Sequence, residues 1–282
     1  MTDFSDFLEA LEEDAFEEKP VDIEEFVTSN DYLALPPLSD YQYQMIKAST
    51  QIYKHETLVK LYGEEEGEKR WKQTCNEVIF QLGKGSGKDY TSTIACAYIV
   101  YLLLCLKDPA RYYGKPPGDA IDIINVAVNA VQAQQVFFKG FKTKIEKSPW
   151  FAGKFYAKAE SIEFDKSITV YSGHSERESH EGLNLILALL DEISGFAQEI
   201  GTGNDQGKTA DNIYKAFRAS VDSRFPDLGK VALLSFPRYP GDFISSRYDA
   251  VIADKEVVTK KHKFIMNPDL PEDTEGNSLE FS

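Results

Sequence analysis

One stretch of the sequence constrains the fold more than any other: residues 78–93, which read VIFQLGKGSGKDYTST. An apolar, β-forming run leads into three alternating glycines, Gly83, Gly85 and Gly87, which precede Lys88 and a helix-compatible segment. Glycine lets the backbone adopt positive φ angles and approach a ligand closely. The N–H groups of such a loop and of the helix after it form a concave anion site. The stretch therefore predicts a strand–loop–helix unit that binds phosphate, with Lys88 reaching the outer phosphates.

The rest of the chain alternates predicted strands and helices, which favours an α/β fold. Residues 121–128 are almost continuously apolar, as a buried parallel strand is. Similar runs occupy residues 185–190 and 231–234, and the polar–apolar alternation of residues 161–171 indicates a hairpin or an edge strand pair. Helices are predicted over residues 3–18, 56–74, 90–106 and 213–223, from residue 39 or 40, and from residue 129. This order predicts a mostly parallel central sheet with helices on both faces.

A pair of acidic residues, Asp191 and Glu192, follows the apolar run 185–190 directly. Ligands of parallel sheets collect at the carboxyl edge of the strands, where both carboxylates are expected to lie. Asp191 would hold Mg²⁺ through water, and Glu192 would orient and deprotonate the attacking water. Alone, such a pair commonly marks a solvated strand end, but about a hundred residues after a phosphate loop it indicates hydrolysis of a nucleoside triphosphate.

Two further polar side chains are candidates for contacts with the nucleotide. Gln42 precedes the phosphate loop, and its amide can both donate to and accept from an adenine edge. Gln44 is the second choice, and a plain surface role is the alternative for both. The run 231–234 stops at Ser235, two residues before Pro237, so its hydroxyl is placed to sense the γ-phosphate or its water. The alternative is a strand that simply ends at a proline.

The formal net charge of −15 is unevenly distributed along the 282 residues. Residues 1–31 contribute −11, so the remainder is only mildly acidic, and charge neither establishes nor excludes a DNA partner. The three cysteines show no CxxC spacing and are expected to be small buried thiols in a reducing compartment. No signal peptide or membrane-length apolar run is present in the sequence, which favours a cytoplasmic protein without membrane contact.

Three segments are predicted along the chain. Residues 1–35 form an acidic arm, which is either a solvated tail or a docking arm for a partner subunit. Residues 36–266 form the nucleotide-binding domain. Residues 267–282 are interpreted as a linker, or as the start of a further domain that this segment does not hold.

These motifs, in this order, resemble the ATPase domain of the large terminase subunit of tailed bacteriophages, a DNA-packaging motor. The resemblance covers most of residues 38–240. SDYQ, from Ser39 to Gln42, is similar to the family's adenine motif, and GKGSGKD is similar to its phosphate loop. YSGHSERESHEGLNLILALLDEISGF resembles the approach to its acidic pair, and LLSFP resembles its coupling motif. The resemblance implies a P-loop NTPase of the ASCE type, the branch with an additional catalytic glutamate.

The resemblance also implies roles and partners. Lys84, four positions before Lys88, would assist it on the phosphates, and the substrate would be ATP with Mg²⁺. The nucleotide contacts would be Gly83, Lys84, Gly85, Ser86, Gly87, Lys88, Asp89, Tyr90 and Gln42. The partners would be double-stranded DNA, the portal protein and the small terminase subunit. The active form would be a homo-oligomeric ring at the procapsid portal in the host cytoplasm, and the isolated chain a slowly hydrolysing monomer.

Two positions depart from the family pattern. Glu181 and Gly182 stand where members often have Arg-Gly, so the arginine finger is either absent or comes from Arg177, Arg224 or Arg238, each of which is otherwise a surface charge. Asp89 stands where a hydroxyl usually binds Mg²⁺, and its carboxylate is a candidate metal ligand.

Nuclease activity, which the resemblance places in a further domain, is not expected from this segment. The alternatives left open are another DNA translocase or helicase, and a non-hydrolysing nucleotide-binding assembly module in which Asp89 disrupts metal binding.

Overall fold

The computed structural model describes residues 15–83, 85–128, 133–174, 182–196, 209–253, 262–266 and 279–281. The strands in these ranges are β1 (Cys75–Gln81), β2 (Ile121–Ala127), β3 (Phe155–Ala157), β4 (Ser161–Phe164), β5 (Ile168–His174), β6 (Leu185–Asp191), β7 (Lys230–Ser235), β8 (His262–Met266) and β9 (Leu279–Phe281). The α-helices are α1 (Ile23–Thr28), α2 (Asp40–Thr50), α3 (His55–Tyr62), α4 (Glu64–Lys72), α5 (Lys88–Cys105), α6 (Pro109–Tyr112), α7 (Lys139–Lys147), α8 (Ala210–Arg224) and α9 (Phe243–Ala253). A six-residue π-helix, Ala133–Phe138, leads into α7. Among the described helices, none is both long enough and apolar enough to cross a bilayer.

The strands form one mixed sheet in the order β3-β4-β5-β2-β6-β7-β1-β8-β9. The centre is parallel: β2 pairs with β5 and β6, β7 pairs with β6 and β1, and β1 also pairs with β8. The two ends are antiparallel, and β4 and β5 form the expected hairpin with Ile162 opposite Val170. The predicted α/β fold with a mostly parallel sheet is confirmed. Because β1, β6 and β7 run in the same direction, their carboxyl ends meet at one edge.

Helices cover both faces of this sheet and divide the core in two. Alternate residues of β6 show the division, since Leu189 belongs to the cluster beneath α5, and Leu190 belongs to the cluster beneath α8 and α9. In α5 every residue from Thr91 to Cys105 is buried, as expected for a helix that is apolar all round. Cys96 and Cys105 are buried free thiols in this helix, as the sequence predicted.

The predicted helix over residues 56–74 is two helices, α3 and α4. Gly63 separates them with a φ of +82°, a conformation that glycine adopts without strain. Gly67 lets the two helices pack closely, because a Cβ there would lie 2.5 Å from the Cα of Val59. The prediction of a single helix was therefore wrong, because Gly63 separates the two helices and Gly67 lets them pack together.

The amino-terminal region also differs from expectation. Phe16 pairs in an isolated β-bridge with Leu106, so the described end of the predicted acidic helix is not helical. The connector that follows contains α1, whose Phe26 and Val27 are fully buried. Residues 1–14 of the predicted arm, residues 129–132 of the predicted helix start and most of residues 267–282 lie outside the described ranges.

Candidate functional site

The glycine-rich loop connects β1 to α5 at the carboxyl edge of the sheet. Its start is anchored to the neighbouring strand, because the N–H of Leu82 donates to the carbonyl of Ser235 at 3.0 Å. Gly85 and Gly87 have φ angles of +81° and +80°, which glycine favours. Gly85 and Ser86 are exposed, so the backbone of the loop is open to a ligand. Lys84 lies outside the described residues.

Lys88, the first residue of α5, is buried and reaches the acidic pair at the end of β6. Its Nζ lies 2.7 Å from Glu192 Oε1 and 3.7 Å from Asp89 Oδ1. Burial lowers the pKa of this lysine, but the hydrogen bond to Glu192 and the charges of Asp89 and Asp191 outweigh burial and raise the pKa above its usual value. The ammonium group is therefore firmly charged at the point where phosphates are expected.

Glu192 has an unusual backbone. Its φ of 54° and ψ of 37° place it in the left-handed region, where a residue with a Cβ is strained. The side chain is only 13% exposed and lies between two cations, since Arg238 Nη2 is 3.6 Å from its Oε2. Asp191, the last residue of β6, is 5% exposed. Backbone strain of this kind concentrates at functional sites.

Arg238 is directed at Glu192 by its surroundings. Its backbone N–H donates to the buried carboxylate of Asp242 at 2.7 Å. Its guanidinium lies over Gly195, where a Cβ would be 2.5 Å from Nη2, so a larger residue there would displace it. Burial by itself raises the pKa of Asp242, but donation from the N–H groups of Arg238 and Ser245 outweighs burial and lowers the pKa below its usual value.

The other two arginine candidates are placed differently. Arg224 is the exposed last residue of α8, close to the amino end of β7, whereas the acidic pair lies near the carboxyl end of that strand. Arg177 lies outside the described residues. Within the part of the chain that the structure describes, Arg238 is thus the candidate that approaches Glu192, and the role of a finger stays a prediction for all three.

Gln42 lies beside the phosphate loop. Its Oε1 accepts from the N–H of Ser39 at 3.0 Å in a capping box that begins α2. Its Nε2 faces Gly87, where a Cβ would be 3.1 Å away. Gln44, the second choice, lines a separate cavity on the flank of α2. The start of α2 therefore brings Gln42, and not Gln44, to the loop.

Ser235 is fully buried at the end of β7. Its hydroxyl accepts from the N–H of Ser194 at 3.3 Å and donates to the carbonyl of Phe236 at 3.2 Å. Ser194 in turn accepts from the N–H of Ile244 at 3.2 Å, near the start of α9. Ser235 is thus bonded to the turn that carries the acidic pair. Sequence reasoning missed Ser194 and Asp242; an aspartate directly before a helix is a cap signal that would have indicated the second.

Tyr90 and Asp89 complete the predicted set. The ring of Tyr90 is 38% exposed and lies 4.5 Å from Nζ of Lys144 in α7. Burial lowers the pKa of Lys144 to about 8. Asp89 has a 41% exposed side chain in the first turn of α5, where the helix dipole favours an acid.

The carboxylates present suit Mg²⁺. This ion is usually held by one or two carboxylates together with substrate phosphates and waters. Asp191 at the end of β6 and Asp89 at the start of α5 are carboxylates of the required kind, and the charges of both help to raise the pKa of Lys88. The described residues contain no cluster of three or more metal-ligating side chains, so a cation here would depend on the nucleotide for most of its oxygen ligands.

Comparison with solved structures shows the same fold in a bacteriophage large terminase. The large terminase of bacteriophage HK97 superimposes with a TM-score of 0.55 over 90% of this chain and 45% of that chain, at 15% sequence identity. The large terminase ATPase domain of Thermus phage P74-26 gives a TM-score of 0.41 at 14% identity, over 58% of this chain and 61% of that chain.

Comparison by sequence gives an archaeal relative. The uncharacterized protein MJ0330 of Methanocaldococcus jannaschii is 31% identical over 173 residues, which are 57% of this chain and 29% of that protein. The chain thus spans less than a third of this relative and less than half of the HK97 protein. The family model for the N-terminal P-loop domain of MJ0330 matches residues 2–274, and the chain therefore belongs to that family.

Proposed function

We propose that this chain is an ATPase domain that hydrolyses Mg²⁺-bound ATP at the edge formed by β1, β6 and β7, and that it works as a DNA-translocating motor of the terminase type. The observation that carries the hydrolytic part is the 2.7 Å contact between Lys88 Nζ and Glu192 Oε1. This contact joins the lysine that follows β1 to the candidate base that follows β6, and these two parallel strands are not adjacent in the sheet.

The residues divide the reaction between them. N–H groups of the loop and the ammonium of Lys88 bind the β- and γ-phosphates, and Lys84 assists Lys88 in this role. Asp191 holds Mg²⁺ directly or through water, and Asp89 is the second carboxylate available to it. The metal supplies positive charge against the phosphates. Gln42, next to Gly87, donates to or accepts from the adenine edge.

Glu192 is the general base. The γ-phosphate competes with Glu192 for Lys88, and a carboxylate released from that ion pair is free to accept a proton from water. The water oxygen bonds to the γ-phosphorus while the bond from phosphorus to the β–γ bridging oxygen breaks. The products are ADP and inorganic phosphate, and the proton of the water stays on Glu192. Arg238 supplies further positive charge from the same chain, 3.6 Å from the carboxylate.

DNA translocation is the finer part of the proposal. It is supported by the order of the adenine, phosphate-loop, acidic and coupling motifs and by the fold shared with the HK97 large terminase. Double-stranded DNA is the substrate of the motor, and the chain acts as a ring with a portal protein and a small terminase subunit. Ser235 connects the acidic pair to α9, which offers a route from hydrolysis to movement.

Steady-state ATP turnover tests the hydrolytic part. We expect Glu192→Gln to lower kcat by about 10²–10⁴-fold, because it removes the general base while keeping the shape of the side chain. Glu56→Gln, at an exposed acid in α3, is the matched control and should leave turnover unchanged. Equal turnover of the wild type and Glu192→Gln would overturn the assignment.

Turnover with and without double-stranded DNA tests the finer part. A motor is stimulated by DNA, and the expected result is a higher kcat that Glu192→Gln abolishes. Turnover that DNA leaves unchanged would contradict translocation while leaving ATP hydrolysis intact. Binding of ATP without any turnover would instead favour the assembly module.

A further inference from the structure

A second cavity lies on the flank of α2, away from the phosphate loop. Its volume is about 500 Å³, which is in the range of small-molecule sites. It is enclosed by α2, α4, α5 and the residues that begin α1. Tyr98 and Leu102 form part of its floor, and they lie ten and fourteen positions after Lys88 on α5. At 1.5 Å per helical residue, the floor is roughly 15–20 Å from that lysine, so the cavity is separate from the nucleotide site.

Gln44 in α2 and Gln51, which directly follows that helix, line this cavity, and each has an unsatisfied amide atom. Gln44 Oε1 and Gln51 Nε2 are buried and have no hydrogen-bond partner among the described residues. Leaving a buried amide atom unpaired costs about 1–3 kcal/mol. Because an amide carries an acceptor and two donors, rotation of its end turns either kind of atom toward the cavity. A ligand edge that both donates and accepts would satisfy this pair.

Another part of the cavity lining is flat and aromatic. The guanidinium carbon of Arg70 lies 3.6 Å from the ring centroid of Tyr62, and both residues line the cavity. The guanidinium is held in this position by Glu66 at 2.8 Å and Asp22 at 3.2 Å. A ring stacked on a fixed guanidinium offers a planar surface, which favours a planar aromatic ligand.

The rim of the cavity carries two lysines in exposed ion pairs. Its cations are Lys47, Lys69 and Arg70. Arg70 pairs with Asp22 and Glu66, Lys69 also pairs with Glu66 at 3.7 Å, and Lys47 pairs with Glu24 at 2.6 Å. The Lys47 and Lys69 side chains are 57% and 65% exposed. Exposed ion pairs such as theirs exchange partners at little cost. An anionic group at the rim would therefore find two available ammonium groups.

We propose that this cavity binds a ligand of the mononucleotide class, whose planar heteroaromatic ring contacts the amides of Gln44 and Gln51 and the Arg70–Tyr62 pair. An amide-like edge of the ring pairs with Gln44 and Gln51, and the anionic group lies at Lys47 and Lys69. This site does not use Lys88, so it is independent of the proposed ATPase activity.

Calorimetric titration of the full chain with the four nucleoside 5′-monophosphates, and with inorganic phosphate, tests the proposal. A monophosphate lacks the β- and γ-phosphates on which the loop site depends, and Lys88→Ala weakens that site further. We expect saturable binding of at least one monophosphate, unchanged by Lys88→Ala, and no saturable binding of inorganic phosphate. Gln51→Leu should weaken binding about tenfold, which corresponds to about 1.4 kcal/mol for the lost hydrogen bond.

A cavity-filling variant gives the sharpest outcome. Ala48 is 5% exposed and lines the cavity, so Ala48→Trp should abolish binding by occupying the space of the ring. Gln51→Leu is the control for loss of binding through misfolding, because replacing an unpaired buried amide should keep or raise the melting temperature. Absence of saturation by all four monophosphates up to about 5 mM would overturn the proposal. Binding that Lys88→Ala abolishes but Ala48→Trp preserves would overturn it too, since the ligand would then occupy the phosphate loop.

Discussion

Replacing Glu192 by alanine and by glycine separates its proposed catalytic role from its backbone strain. Both variants lose the carboxylate, the 2.7 Å ion pair with Lys88 and the proposed base. They differ only at Cβ, which matters because the φ of residue 192 is 54°. A residue with a Cβ pays about 1–2 kcal/mol in the left-handed region, and glycine does not.

The free energies of unfolding can be compared directly. Glycine loses about 0.5–1 kcal/mol to its greater freedom in the unfolded chain, which offsets part of the gain. We therefore expect Glu192→Gly to be more stable than Glu192→Ala by about 1 kcal/mol, or about 2 °C in melting temperature for a chain of this size. Both should lose ATP turnover to the same extent, because neither supplies a base.

Urea and thermal unfolding measure this difference, and Ala34→Gly is the matched control. Ala34 is exposed with a φ of 50°, so the same substitution should stabilise the chain there without any effect on turnover. The strained backbone at Glu192 would be refuted if the alanine and glycine variants at position 192 were equally stable while Ala34→Gly was stabilised. Residual turnover in either variant near the wild-type rate would refute its role as the base.

Three further substitutions test other parts of the structure. Arg247→Met removes a bidentate ion pair with Glu77, whose carboxylate is 2% exposed and is contacted at 2.6 and 2.7 Å. The variant should lose about 3–5 kcal/mol of the free energy of unfolding measured in urea. A loss below about 1 kcal/mol would show that the buried carboxylate of Glu77 does not need Arg247 as its partner. Burial lowers the pKa of Lys230 from 10.5 to about 8. The unfolded chain therefore binds more protons between those values, and wild-type stability should rise with pH across that window by about 3 kcal/mol relative to Lys230→Met; a pH-independent difference would contradict this burial cost. Arg238→Ala should lower kcat at least about tenfold with little change in KM, whereas Arg224→Ala should not, and the reverse pattern would place the catalytic arginine at the far end of α8.

The sheet and the parts of the site that follow local patterns were predictable. Apolar runs that end at glycines, at Asp191 or at Ser235 identify strands whose carboxyl ends share an edge, and β1, β6 and β7 do end together. The capping box at Ser39 marks the start of α2, which places Gln42 at the loop. Short-range signals of this kind are carried by the sequence itself.

The features that were not predicted depend on distant contacts or on single backbone angles. Nothing around Glu192 indicates a left-handed conformation, because that angle is imposed by the turn between β6 and the segment bonded to Ser235. The pairing of β5 with β2 requires a hairpin to join a parallel sheet, which no local periodicity encodes. Gly63 is different, because a glycine inside a predicted helix is itself a signal that the helix can end there. The charged, helix-like pattern on both sides of Gly63 led to the prediction of one continuous helix.

The contacts around Ser194 suggest why the strained conformation of Glu192 persists. Ser194 lies two residues after Glu192, and its N–H and hydroxyl are bonded in opposite directions, to Ser235 at the end of β7 and to Ile244 in α9. These bonds fix the turn from both sides. The packing of β7 and α9 therefore stabilises the left-handed backbone angle of Glu192 and offsets its strain, which the turn alone would not do. The same bonds mean that any change in the position of Glu192 on phosphate binding must be accommodated by β7 or α9. If Glu192 is the base, a hydroxyl that holds its turn against a helix is therefore a more direct means of the proposed coupling than one that contacts the phosphate itself.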